Sequence, residues 1–303
     1  MADPAITAPD SIGLSAQGQA RGSKQGAVSS WLRFFRSELR QVFQRRRNVV
    51  MLCVVALFPI IIGIGLRLAS HPHRGGNGNG GLAFVTELTG NGIFLSFIAL
   101  SILLTRVMPV VVAVIAGDSI AGEAGYGTLR YLLAVPAGRT RLLAVKYAAI
   151  VVFALAVTFV VTGVALATGA ALFPIGPVTL LSGTTVPLAE GILRLFFVTL
   201  YVSAAMASLG AIGLAVSTLT EHAIGAIAAV AIFFVASEVC DQVPQFAVIQ
   251  PYLPTHWWPM FDALLRVPID GGTVLKGLLS FAVYLVLAAS VAWARLTSAD
   301  VTS

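Results

Sequence analysis

The residues best placed to do chemistry are few and scattered. Glu123 lies in the stretch Gly117-Asp-Ser-Ile-Ala-Gly-Glu-Ala-Gly-Tyr-Gly-Thr-Leu-Arg-Tyr-Leu-Leu-Ala-Val-Pro136, where it is the only carboxylate between Asp118 and the next long apolar run. A lone carboxylate there suits capping of a helix N-terminus or pairing with a basic group on another chain. Arg106 falls near the middle of an apolar run beside Pro109, where a charge contacts substrate, pairs with a carboxylate or snorkels towards water. Glu190 and Arg194 stand four residues apart and can pair across one helical turn. His71 and His73 flank Pro72 in a Gly- and Asn-rich loop, too few ligands for a metal site, and read as solvated loop residues. No His-Glu-x-x-His or Gly-x-Ser-x-Gly occurs, Gly117-Asp118 is an isolated pair, and Gly22-Ser-Lys24 lacks the upstream spacing of a phosphate-binding loop. The residues therefore predict no catalytic, cofactor or metal site in this chain.

The elements that must position these groups are membrane helices. Only 11% of the 303 residues are charged and 57% are hydrophobic, with mean hydropathy +0.91, too apolar to cover a water-facing surface. Six spans are expected at Val49–Leu66, Ile93–Ala116, Tyr147–Ala167, Leu195–Leu219, Ala223–Val239 and Gly277–Ala294. The uncharged stretch between Lys146 and Glu190 is divided at Phe173-Pro-Ile-Gly-Pro177 and Ser182-Gly-Thr-Thr-Val-Pro187, whose turn chemistry breaks a helix. The first run is too long for a signal-peptide core and should stay in the mature protein. Cys53 and Cys240 lie in or beside apolar runs and read as small apolar side chains.

Before the first span, Trp31, Phe35, Leu39 and Val42 recur at helical spacing, opposite Arg33, Arg36, Arg40, Gln44 and Arg47. This predicts an amphipathic helix on the membrane surface over 29–47, behind a disordered tail over 1–28. Eight of the 19 Lys and Arg lie between Arg21 and Arg47, which points to anionic lipid headgroups and not to nucleic acid. Counting Lys and Arg in the loops gives 13 on the side of the N-terminus and 5 on the other, with Arg106 inside the second span. By the positive-inside rule both termini are cytoplasmic. The expected fold is thus an all-α integral membrane protein, with a six-helix domain over 48–295 and a short tail over 296–303. An outer segment over 241–273, rich in Pro and aromatics, reads as interfacial or re-entrant.

The charge count makes the segment 118–139 cytoplasmic. Leu129, Leu132 and Leu133 share one face of a short helix that Pro136 ends, too short to cross a bilayer. Such a helix either lies flat in the interface or docks on another protein. The pattern Gly122-Glu123, Gly127-Thr128-Leu129, Leu132-Leu133, Pro136, Arg139 and Lys146 resembles the signature between the second and third helices of ABC-2 type transporter permeases, the six-helix membrane subunits of ABC exporters. The resemblance extends over all six spans. It implies that this segment is a coupling helix seated on an ABC ATPase subunit, and that 29–47 matches the family's connecting helix. It further implies a homodimer of permeases in the cell (inner) membrane, with the translocation path between them. ATP and Mg would be bound by the partner ATPase. Where that family often carries a second charged residue around its Glu, this chain has Ala124, Gly125 and Tyr126, and Arg295 to Asp300 only loosely echoes its C-terminal charged pair. The competing expectation is an ion-gradient-driven secondary transporter, which calls for internal repeats and broken helices with paired ionisable groups at the midplane.

Overall fold

A computed structural model describes residues 31–70, 91–125, 139–180 and 182–298. The described residues are all-α apart from one two-residue ladder. A helix over 31–44 (α1) bends at Arg45 into α2 (Arg46–Ser70). Then come α3 (Phe94–Arg106), α4 (Met108–Gly125), α5 (Arg139–Leu172), α6 (Leu188–Leu219), α7 (Ala223–Gln242) and α8 (Gly271–Ser298). Six of these, α2 and α4 to α8, are long and apolar enough to cross a membrane. The protein is a multi-pass membrane protein.

Burial ranks the helices. In its most apolar window α6 is 67% buried and α4 61%, against 17% for α2 and α8 and 22% for α7. The first two therefore form the core, and the others present Val, Ile and Leu outward, as a lipid-facing surface requires. Helix α6 packs on α4, α5, α7 and α8. Small residues permit the close approaches: a Cβ on Gly277 of α8 would overlap the Tyr201 hydroxyl. At the other side of the bundle, Gly92 and Gly169 meet backbone to backbone, a Cβ on Gly92 falling 2.4 Å from the Gly169 carbonyl oxygen.

Several spans differ in extent from the sequence expectation, mostly by growing. Helix α5 begins eight residues before Tyr147 and α6 seven before Leu195, because their flanking polar residues find partners within the protein. The second span comes in two pieces, interrupted at Val107 two residues before Pro109, which has no N–H to donate. Past the interruption, α4 runs without a turn to Gly125. Gly122 and Gly125, which with Gly127 would permit a tight turn, are helical, as is Gly117; Gly127 lies outside the described residues.

The turn chemistry between α5 and α6 forms a small hairpin. Val178–Thr179 (β1) pairs antiparallel with Thr185–Val186 (β2). Gly183 takes φ +77° at its tip, a conformation that suits glycine. Pro187 precedes α6. This hairpin marks one end of the bundle and α1 marks the other; the spans alternate between the hairpin end and the α1 end. The segment 241–273 consists mainly of three 3₁₀ turns, Pro244–Phe246, Gln250–Tyr252 and Trp258–Leu265, and is capped by the buried Trp258.

Candidate functional site: a charge-balanced cluster at the α1 end

Three carboxylates and three cations converge where α1, α2, α4 and α5 meet. The bend between α1 and α2 is held by Asn48, almost fully buried, whose side-chain amide donates to the Val42 carbonyl at 2.7 Å. This aims Arg45 and Arg47 at α4. Asp118 accepts from both, Nη1 of Arg45 at 2.5 Å and Nη2 of Arg47 at 2.8 Å. The Asp118 carboxylate folds over the next turn of its own helix, and Gly122 leaves the room: a Cβ there would lie 2.4 Å from Oδ1.

One turn on, Glu123 accepts from Lys146 Nζ at 2.7 Å, and Glu38 of α1 accepts from the same ammonium at 3.5 Å. Lys146 is only 3% exposed. A buried ammonium between two carboxylates keeps its charge compensated, as the desolvation cost demands. The six side chains surround a cavity of about 40 Å³, room for water. Above the cluster, the buried Ser217 of α6 links into the α4 backbone. Its hydroxyl donates to the Gly117 carbonyl and accepts from the amides of Ile120 and Ala121. A hydroxyl inserted in a helical ladder locally loosens the helix it joins.

No group of three or more His, Cys, Asp and Glu suited to a metal occurs among the described residues. The cluster's chemistry is charge pairing. It couples α1 to the two spans that flank residues 126–138.

Arg106, the last residue of α3, is exposed and lies where α3 gives way to α4. Helices α4 and α7 run antiparallel, with Gly117 against Ile227. Arg106, beyond the break at Val107, and Glu238 of α7 each stand eleven positions in sequence from that contact. The charge inside the second span thus has a carboxylate at its own level.

A family model described as a protein of unknown function (DUF2705) matches residues 56–302. The chain belongs to this family. The DUF2705 match starts inside α2 and takes in Asp118, Glu123, Lys146, Arg106 and Glu238, while Glu38, Arg45 and Arg47 precede it. No curated protein matches the sequence.

Within this DUF2705 chain, the residues expected from sequence to form a coupling site divide into three groups. Gly122 and Glu123 lie in the cluster. Gly127, Thr128, Leu129, Leu132, Leu133 and Pro136 lie outside the described residues, as do the tails over 1–28 and 299–303 and the loop holding His71 and His73. Arg139 opens α5. Glu123 meets a cation of its own chain, Lys146, where the sequence left a helix cap or a partner's basic group open. Sequence reading missed Glu38, Arg45 and Asp118. The available signal was an isolated acid, Asp118, in a protein whose basic residues crowd just before the first span.

At the hairpin end, Glu190 and Arg194 pair at 2.7 Å, as their spacing predicts. Arg194 does more: its Nη1 donates to the carbonyls of Leu264 and Arg266, tying the last 3₁₀ turn to α6. The Tyr201 hydroxyl donates to the Trp257 carbonyl at 2.7 Å, and His256 Nδ1 lies 2.6 Å from Asp241 Oδ1.

Proposed function

We propose that this protein is the permease subunit of an ATP-binding cassette exporter. It works as a homodimer with both termini in the cytoplasm, and a separate nucleotide-binding subunit binds and hydrolyses ATP with its magnesium. The observation that carries this reading is Lys146, buried and bound to Glu123 and Glu38 together. The residues resembling the ABC-2 signature straddle 126–138, and this ammonium fastens the helix before that segment to the helix after it and to the interfacial helix. A push on the segment from a cytoplasmic partner would reach α1, α4 and α5 together. The basic character of α1 and of the loops on its side supports the orientation. Arg106, opposite Glu238, is the candidate for the translocation path.

A second reading, transport driven by an ion gradient, is favoured by one observation: the second span is broken beside Arg106, with Glu238 of α7 at about its level. Extraction of the protein from its native membrane in a mild detergent separates the two. The first reading expects an ATPase to co-purify, and expects Leu132→Ala with Leu133→Ala to weaken that association while the permease remains abundant. Glu123→Gln should retain the ATPase but lower export. Absence of any ATPase, with activity that collapses when a protonophore is added, would replace the first reading with the second.

A further inference from the structure

Helix α1 has an inner face engaged by the bundle and an outer face of uncompensated charge. Glu38 turns inward onto Lys146, Val42 onto the hydrophobic core, and Phe43 meets Phe153 with ring centroids 5.7 Å apart. At 3.6 residues per turn, Arg33, Arg36 and Arg40 stand about 140–160° around the helix from Glu38. All three are exposed, and none forms an ion pair among the described residues. Arg40 donates to Gln44, a neutral group. Glu38 is the sole carboxylate of α1 and is already engaged by Lys146. Of the remaining arginines between 33 and 47, Arg45 and Arg47 are held by Asp118, and Arg46 lies past the bend.

The neighbours of α1 fix the direction and depth of this outer face. Lys146 and Phe153 lie seven and fourteen residues inside α5, so α1 packs along the side of α5 and not across its tip. Its arginines therefore point sideways from the bundle. From Arg139 to Lys146 is about 10 Å of helix. Helix α6, with 32 residues, is about 48 Å long, and a hydrocarbon core of about 30 Å leaves about 9 Å at each end for headgroups. The stretch from Arg33 to Arg40, beside this first part of α5, is thus at headgroup depth. Trp31, exposed and stacked on Phe35, is a residue type that settles there.

We propose that Arg33, Arg36 and Arg40 form a docking surface for anionic phospholipid headgroups of the leaflet on the α1 side. What surrounds a bundle at that depth is lipid headgroup, and an anionic one complements the charge of the face. Guanidinium groups donate to the phosphate oxygens. This inference rests on the membrane placement of the helices and is independent of what drives transport.

The test uses the full chain alone, without any ATPase, in nanodiscs containing a small, varied fraction of phospholipid brominated high on its acyl chains, either phosphatidylglycerol or phosphatidylcholine. The Trp31 signal is taken as the difference between wild type and Trp31→Phe. Half-quenching by brominated phosphatidylglycerol is expected at a mole fraction about fivefold lower than for phosphatidylcholine. That ratio should fall towards one as ionic strength rises from about 0.05 to 0.5 M. Arg33→Gln with Arg36→Gln and Arg40→Gln should abolish the preference. Lysine at the same three positions keeps the charge and should keep the preference, which separates loss of charge from loss of fold. Equal half-quenching of the wild type by the two lipids, or a preference that survives in the glutamine variant, overturns the proposal. A Trp31 signal that neither lipid quenches also overturns it, and would give the face to a water-soluble partner.

Discussion

The two ends of the bundle are fastened by different chemistry. At the α1 end, side-chain charges reach across 71 to 108 residues of sequence, from α1 and α2 to α4 and α5. At the hairpin end, the tertiary ties run mainly from side chains to backbone carbonyls: Asn91 to Gly176 and Pro177, Arg194 to Leu264 and Arg266, Tyr201 to Trp257. A carbonyl has a fixed place in the fold. A charged pair can exchange partners, because each ion remains a strong donor or acceptor after separation. The contrast locates adaptability at the α1 end and rigidity at the other.

Four substitutions test that contrast. The largest effect belongs to Lys146→Ala, which leaves Glu123 and Glu38 facing each other in a nearly dry site. Thermal unfolding in detergent should show a loss of about 3–5 kcal/mol. Lys146→Met combined with Glu123→Gln should recover much of it; failure to do so would mean that the packing of the lysine stem, not its charge, holds the cluster. Next comes Arg194→Ala, which strips a pair and two carbonyls of their donor and should cost about 1–3 kcal/mol with little dependence on salt. Comparable salt sensitivity at the two ends would erase the distinction drawn here.

Asp118→Asn should be milder, at most about 1 kcal/mol, since Arg45 and Arg47 remain well exposed. Its effect should shrink as ionic strength rises from about 0.01 to 1 M, readable as converging melting temperatures of variant and wild type. The smallest effect is at Asp270, which precedes α8 at the hairpin end. It accepts from the Thr273 hydroxyl and amide, and these bonds hold its carboxyl below the usual carboxylate range. A depressed folded pKa contributes stability that is present above the ordinary aspartate value, about 3.9, and is lost as pH falls through the lower one. Amide protection in the first turn of α8, taken as the ratio of intrinsic to observed exchange rate at each pH, should therefore be constant from neutral pH down to about 4 and fall below it. Asp270→Asn should flatten that response.

Much of the fold was legible because hydrophobic length is the dominant signal in lipid. Five of the six expected spans have one helix at their place, the second is shared by α3 and α4, and Phe173-Pro and Ser182-Gly separate α5 from α6 through the turn chemistry they encode. Helix ends were less legible. Lys146 and Glu190 look like boundaries to a hydropathy reading, yet each lies inside a helix because a partner in the folded protein neutralises it. The interruption at Val107 was readable only as a loosening near Pro109, since a proline shows where a donor is missing and not which residue leaves the helix. In the charged cluster, Glu123 and Lys146 stood out by type. Pairing among Asp118, Arg45 and Glu38 depends on how α1 bends over α4, and sequence spacing carries no information about that contact.

The meeting of Gly92 and Gly169 sets the mechanics of the bundle. With no side chain on either residue, that contact has no rotamers to rearrange and little room for sliding, so α5 can move against the start of α3 chiefly by swinging about it. From Gly169 to Arg139 the lever is about 45 Å long. A swing of about 5° at the glycine pivot carries Lys146, about 35 Å along the lever, through about 3 Å, which exceeds its 2.7 Å bond to Glu123. The glycine pair is the axle, and the charged cluster lies near the rim where its rotation is felt most.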